Sequence, residues 1–98
     1  MRRALVTGGA GGIGAAVCRR LAHDGFQVVI HYNSSVEAAR ALSAELQQAT
    51  GREHPAIRAD LTDRAQVEDL FLAAGPVDVL VNNAGIAQQK LFTDLTEE

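Results

Sequence analysis

The amino-acid sequence predicts a doubly wound α/β fold on a parallel sheet, and three observations carry that expectation. Four short aliphatic runs alternate with three runs of helical periodicity. Glycine fills five of the seven positions from Gly8 to Gly14, between the first run and the first helix. The fourth run ends in Asn82-Asn83-Ala84-Gly85. Near-continuous aliphatic strands that alternate with helices imply a parallel sheet covered on both faces.

Each element has its own signal. Arg3-Ala4-Leu5-Val6-Thr7 reads as a short buried strand, with Arg2 and Arg3 flanking it toward solvent. Ile13, Val17 and Leu21 then fall at i, i+4 and i+8, the apolar stripe of a helix. Gly25 sits just past that helix, where a left-handed C-cap is expected. Gln27-Val28-Val29-Ile30-His31 is a second strand, rich in β-branched residues. Ser34-x-x-Glu37 has the pattern of a capping box, and Val36, Ala39, Leu42, Leu46 and Ala49 continue a helix to Gly51. Pro55-Ala56-Ile57-Arg58-Ala59 is a weaker third strand. Thr62 or Asp63 caps a third helix, whose inner face carries Val67, Leu70, Phe71 and Ala74 before Gly75-Pro76 stops it. Val77-Asp78-Val79-Leu80-Val81 is the fourth strand. Thr96-Glu97-Glu98 reads as the first turn of another helix. Residues 1–98 are therefore expected to be the N-terminal part of one longer domain.

Composition narrows the function. The 98 residues are 47% hydrophobic and 21% charged, which are globular values. Tryptophan is absent and aromatics make up 4%, too few for a base-stacking platform. A net charge of −3 gains nothing from counterion release, which argues against nucleic acid and anionic membranes as partners. No run approaches the roughly 20 apolar residues of a membrane span. One cysteine, Cys18, cannot form an internal disulfide, and the expected compartment is the reducing cytoplasm. His23, His31 and His54 are scattered and form no metal set with Cys18, which reads as a buried small side chain.

A strand, a glycine turn and a helix make a phosphate site for physical reasons. The helix start presents unpaired N–H groups and a partial positive charge. A diphosphate approaches them closely only where no Cβ intervenes. The spacing here is Gly8-x3-Gly12-x-Gly14, preceded by Thr7. The bland alternative is a structural tight turn, with Gly14 allowing close helix–strand packing. No Gly-Lys-Ser/Thr follows, so the lysine-containing NTPase turn is excluded. In an open α/β sheet, ligands bind outside the carboxyl ends of the strands. Strand order 3-2-1-4 with right-handed crossovers puts the Asn82–Gly85 tetrad beside the turn.

Thr7-Gly8-Gly9-Ala10-Gly11-Gly12-Ile13-Gly14, Asp60-Leu61 and Asn82-Asn83-Ala84-Gly85 together resemble the short-chain dehydrogenase/reductase family. The resemblance covers all 98 residues and implies a Rossmann-type fold and hydride transfer between a nicotinamide and a carbonyl or alcohol. It implies that the turn from Gly8 through Ile13, with Gly14, wraps the pyrophosphate. It gives Asp60 a hydrogen bond from the adenine amino group and Leu61 a contact with the ring. Asn83, Ala84 and Gly85 would line the adenosine ribose, while Thr7 and Asn82 tie the turn to the central strands. Asp60 can equally begin the cap before Thr62 and Asp63, and the asparagines can simply satisfy strand-end backbone groups. Two departures stand out: Gly11 occupies a position often basic in NADP-using relatives, and the third helix is short.

NAD-binding members place a carboxylate at the end of the second strand, where it would repel a 2′-phosphate. That place falls at Tyr32, followed by Asn33-Ser34-Ser35, with no acid before Glu37. Tyr32, Asn33 and Ser34 therefore favour NADP(H) over NAD(H), although no Arg or Lys stands among them. Ser34 can serve the capping box, a phosphate, or both. The family's catalytic Tyr-x-x-x-Lys is absent, since the one tyrosine is Tyr32. No catalytic residue is assigned within the chain, and the resemblance places those residues further along. Overall the chain resembles bacterial 3-oxoacyl-[acyl-carrier-protein] reductases. Gly75-Pro76-Val77-Asp78 and the stretch from Gly85 to Phe92 instead resemble elongation factor P 5-aminopentanone reductases. The expected partner is a small-molecule or carrier-bound carbonyl compound, with homo-oligomer contacts in later helices. A non-catalytic nucleotide-binding module is the alternative of a different class.

Overall fold

The structure is a computed structural model that describes residues 1–83. The elements run β1 (Arg3–Thr7), α1 (Gly12–His23), β2 (Gln27–Tyr32), α2 (Val36–Thr50), β3 (Ala56–Arg58), α3 (Arg64–Ala74) and β4 (Val79–Asn82). The four strands form one parallel sheet in the expected order β3-β2-β1-β4. Its register sets Thr7 beside Asn82 and Tyr32 beside Arg58, so the carboxyl ends of all four strands share one edge.

Successive strand residues point to opposite faces, and both faces are covered. Ala4, Val6, Val28 and Ile30 pack against Cys18 and Ala22 of α1 and Leu42 and Leu46 of α2. Leu5 and Val29 pack on the other face against Leu61 and Val67, Leu70 and Ala74 of α3. Leu5 is fully buried, so its truncation to Ala costs about 2–5 kcal/mol. Among the described residues no helix is long and apolar enough to cross a membrane.

Three local expectations need correction. The buried face of α1 is Gly14, Ala15, Cys18 and Ala22, while Ile13 is 76% exposed and Val17 and Leu21 only flank the core. Small residues let α1 lie close to the sheet, and this outweighs the larger aliphatic stripe. The Ser34–Glu37 capping box does not form: Ser35 is the N-cap of α2 and makes no side-chain capping bond. Arg3 does not simply face solvent. Its Nη1 donates to the Ala74 carbonyl at 2.6 Å and its Nε to Gln27 Oε1 at 3.0 Å, fastening the end of α3 to the sheet.

Candidate cofactor-binding site

The turn after β1 is drawn tight by backbone demands. Gly8 has φ +63°, a left-handed conformation that side chains disfavour. Gly14 lies directly over it, and a Cβ there would stand 2.1 Å from the Gly8 carbonyl oxygen. No residue but glycine lets the first turn of α1 come this near. At Gly11 and Gly12 a Cβ would meet nothing within 4 Å, so these two face open space.

The open side is where polar groups are left over. Among the described residues, none of the amides of Ala10 to Gly14 donates a hydrogen bond to the protein. Gly11 is the N-cap of α1 and has no side chain to offer, and the first turn contains no acid. A row of free N–H groups at a helix start is a positive electrostatic surface. It borders a cleft of about 240 Å³ lined by Gly8, Ala10, Gly11, Tyr32, Asn33, Ser34 and Ser35. An anionic, elongated ligand fits these groups, because it would satisfy donors that the chain leaves free.

The tip of β4 is knitted to the turn. The Asn83 amide donates to Thr7 Oγ1 at 2.9 Å, and Asn83 Nδ2 donates to the Gly8 carbonyl at 3.3 Å. The Thr7 hydroxyl has two acceptors in reach, Asn82 Oδ1 at 3.2 Å and the Val81 carbonyl at 3.4 Å, and can donate to one at a time. Ala84 and Gly85, expected along the ribose, lie outside the described residues, as does the following stretch to Phe92.

At Asp60 and Leu61, the residues expected to meet an adenine, the structure adds detail. Asp60 Oδ1 accepts from the Thr62 hydroxyl at 2.7 Å and from the Thr62 amide at 3.0 Å, and these bonds hold its carboxyl below the usual range. Asp63, not Thr62, caps α3. Leu61 is 5% exposed and packed in the core, so little of it faces outward.

Two residues escaped sequence reasoning. Arg58 stands opposite Tyr32 across the β2–β3 ladder. Its Nε donates to the Asn33 carbonyl at 2.9 Å and its Nη2 to Asn33 Oδ1 at 3.4 Å. A guanidinium from β3 thus stands at the β2 tip, where the local sequence has no cation. The strand register alone reveals it. His31 is the second: its buried ring accepts from the Gly8 amide at Nδ1, 3.0 Å away, and its Nε2 meets the Ala59 carbonyl at 2.8 Å. Cys18, as expected, is buried; desolvation pushes its thiol up to about 12, so it stays protonated and inert.

The chain is similar to known proteins. The family described as short chain dehydrogenase matches residues 2–98. The short-chain dehydrogenase/reductase FrzI of a Cladobotryum species is 41% identical over 101 residues, covering 99% of this chain and 39% of the relative. The 3-oxoacyl-[acyl-carrier-protein] reductase FabG of Staphylococcus aureus is 37% identical over 101 residues, covering 99% of this chain and 41% of the relative. Among solved structures, a blue fluorescent protein from a metagenomic library in complex with NADPH superposes with a TM-score of 0.74. It is 52% identical, over 87% of this chain and 36% of that one. The chain spans about two fifths of the length of these two curated relatives. Sheet order, glycine turn and a match across nearly every residue converge, and the chain belongs to the short-chain dehydrogenase family.

Proposed function

We propose that the intact protein is an NADP(H)-dependent carbonyl reductase of the 3-oxoacyl-[acyl-carrier-protein] reductase type, acting on a small-molecule or carrier-bound carbonyl compound. The observation that carries this reading is the row of free amides from Ala10 to Gly14 beside a β2 tip without a carboxylate. The amides hold the diphosphate through backbone donors and the dipole of α1. Tyr32, Asn33 and Ser34 take the ribose end, and Arg58 supplies a positive charge next to them. A charge-assisted bond from Arg58 to a 2′-phosphate contributes about 1.5–3 kcal/mol. Asp60 borders the adenine, and Asn83 the ribose. A bound nicotinamide dinucleotide supplies the hydride that reduces a carbonyl carbon. The kinship with FabG and the NADPH-complexed neighbour support the cofactor and the substrate class.

The test is a fluorescence titration of the intact protein with NADPH and with NADH, followed by NADPH oxidation in the presence of an acetoacetyl thioester. NADPH should bind at least about 10-fold more tightly, and Arg58→Ala should erase most of that margin. Equal affinities overturn the NADP(H) preference. Tight binding without turnover of any 3-oxoacyl thioester leaves a nucleotide-binding module in its place.

A further inference from the structure

His31 sits at the end of β2 with its ring 3% exposed and both ring nitrogens engaged. A backbone N–H can only donate, so the Gly8 amide requires a lone pair on Nδ1. The proton therefore sits on Nε2, which donates to the Ala59 carbonyl at 2.8 Å. The His31 carbonyl in turn accepts from the Gly9 amide at 2.9 Å. One residue thus fixes two consecutive amides of the turn, and its ring links the ends of β1, β2 and β3.

We propose that His31 is a positioning residue for the glycine turn: its unprotonated Nδ1 holds the Gly8 amide, and dinucleotide binding weakens when the ring takes a proton there. The inference rests on the reading that this turn holds a dinucleotide. A proton on Nδ1 would set two donors against each other, Nδ1–H and the Gly8 N–H. Either the ring or the Gly8 peptide must then turn away. Gly8 has no slack for this, because its carbonyl already receives Asn83 Nδ2 and lies under Gly14. Rotating it redirects the free amides that follow.

The titratable and charged groups on the surrounding elements do not replace this bond. Arg58 donates to Asn33, Asp60 accepts from Thr62, and Asp63 caps α3, with Arg64 following it. Tyr32 is next along β2, and the neutral Cys18 thiol donates to the Gly9 carbonyl. Burial pushes His31 below its usual value, against the smaller opposing pull of the Ala59 carbonyl. The ring is therefore neutral at pH 7, and the effect belongs to acidic solution.

The experiment measures NADPH affinity of the intact wild-type protein, His31→Asn and His31→Leu at pH values from about 7.5 down to 5. The 2′-phosphate itself titrates near pH 6, so the comparison between proteins is read rather than any one profile. Asparagine places an amide oxygen where Nδ1 stands, and it does not titrate. His31→Asn should bind within about 3-fold of wild type at pH 7.5 and lose clearly less affinity on acidification. His31→Leu should lose about 10-fold at pH 7.5, the worth of one orphaned amide. Where His31→Leu fails to fold, the asparagine profile decides alone. Parallel profiles for wild type and His31→Asn overturn the role of His31 and leave the dinucleotide reading standing. Wild-type protein that binds no dinucleotide at any pH takes down that reading first.

Discussion

The three helices among the described residues begin in two different ways. α3 starts on Asp63, whose Oδ1 accepts from the amides of Ala65 at 3.0 Å and Gln66 at 3.5 Å. α1 starts on Gly11 and α2 on Ser35, and neither start receives a side-chain cap. A side-chain cap contributes about 1 kcal/mol over an N-cap such as alanine and only a few tenths over glycine, so the open starts forgo a modest stability. Gly11 and Ser35 both line the cleft, whereas Asp63 does not. A chain that can cap a helix with a well-placed aspartate, yet gives neither start that borders the cleft a side-chain cap, keeps the amides opening α1 available to a ligand. Breaking or strengthening this division is the most direct way to test the site.

The largest effect should come from Gly14→Val. Its Cβ would fall 2.1 Å from the Gly8 carbonyl oxygen, and backbone cannot move aside cheaply. Loss of about 3 kcal/mol or more in unfolding free energy is expected, together with complete loss of NADPH binding. Chemical denaturation and titration measure the two. A variant with unchanged stability would show that the turn is not as tight as described.

Gly12→Asp separates site from scaffold. A side chain at Gly12 meets nothing within 4 Å, and a carboxylate in the first turn of a helix is favourable by about 0.3–1 kcal/mol. The same charge stands where a diphosphate would lie. Stability should hold or rise slightly while NADPH affinity drops about 100-fold, the price of about 2.7 kcal/mol of repulsion and lost contact. Unchanged affinity would remove the diphosphate from this turn.

How far the sequence reveals this division depends on which forces are local. Aliphatic runs and glycine placement are local, and they suffice for the four strands, the order of the sheet and the position of the turn. Alternation and connection length leave few topologies for such a pattern. The capping box at Ser34 is misread because helix starts depend on a single backbone torsion, and the chain turns one residue later, at Ser35. The stripe through Ile13 is misread because α1 approaches the sheet through its small residues, and no count of large aliphatics registers closeness. Arg58 and His31 escape for a different reason. Arg58 acts 25 positions from Asn33, and His31 acts 23 positions from Gly8. Only the strand register, which sequence spacing does not encode, brings those groups together.

Acid should act on both ends of β2, but on the cleft at one end only. His54 holds the start of the strand as His31 holds its finish: Nδ1 of His54 accepts from the Val28 amide at 2.9 Å, and its Nε2 meets Thr50 Oγ1 at 2.8 Å. Burial depresses both rings below the ordinary value near 6.5. Above that pH neither the native nor the unfolded chain is protonated at these rings, and stability is at its full value. As pH falls through 6.5 the unfolded chain takes up protons first, so stability declines toward the native values, by at most about 1.4 kcal/mol per pH unit per histidine. The carboxyls of Glu45 and Asp60 are also depressed, but they act only in more acidic solution. Denaturation at pH 7 and 5.5 should show the decline in wild type and a smaller one in His54→Gln. That variant should leave the pH profile of NADPH binding unaltered. A flat stability profile across this interval would contradict the buried, neutral state of both rings.

The smallest effect is the converse of the bare helix starts. Asp63→Ala removes the one side-chain helix cap among the described residues and should cost about 1 kcal/mol. NADPH affinity should stay within about 2-fold of wild type, well under 1 kcal/mol, since α3 starts away from the cleft. Gly11→Ser offers α1 the cap that α3 already has. A serine hydroxyl at the N-cap draws one of the free amides inward, and glycine is itself a tolerable N-cap, so the gain in stability is only a few tenths of a kcal/mol. That same amide is then shared with the ligand, and affinity should fall by a few-fold. The two substitutions therefore move in opposite directions on the two measurements: one lowers stability and spares binding, the other spares stability and lowers binding. If Asp63→Ala weakened NADPH binding as much as Gly11→Ser, the helix starts would not be divided between scaffold and site, and the free amides of α1 would be an accident of a glycine-rich turn.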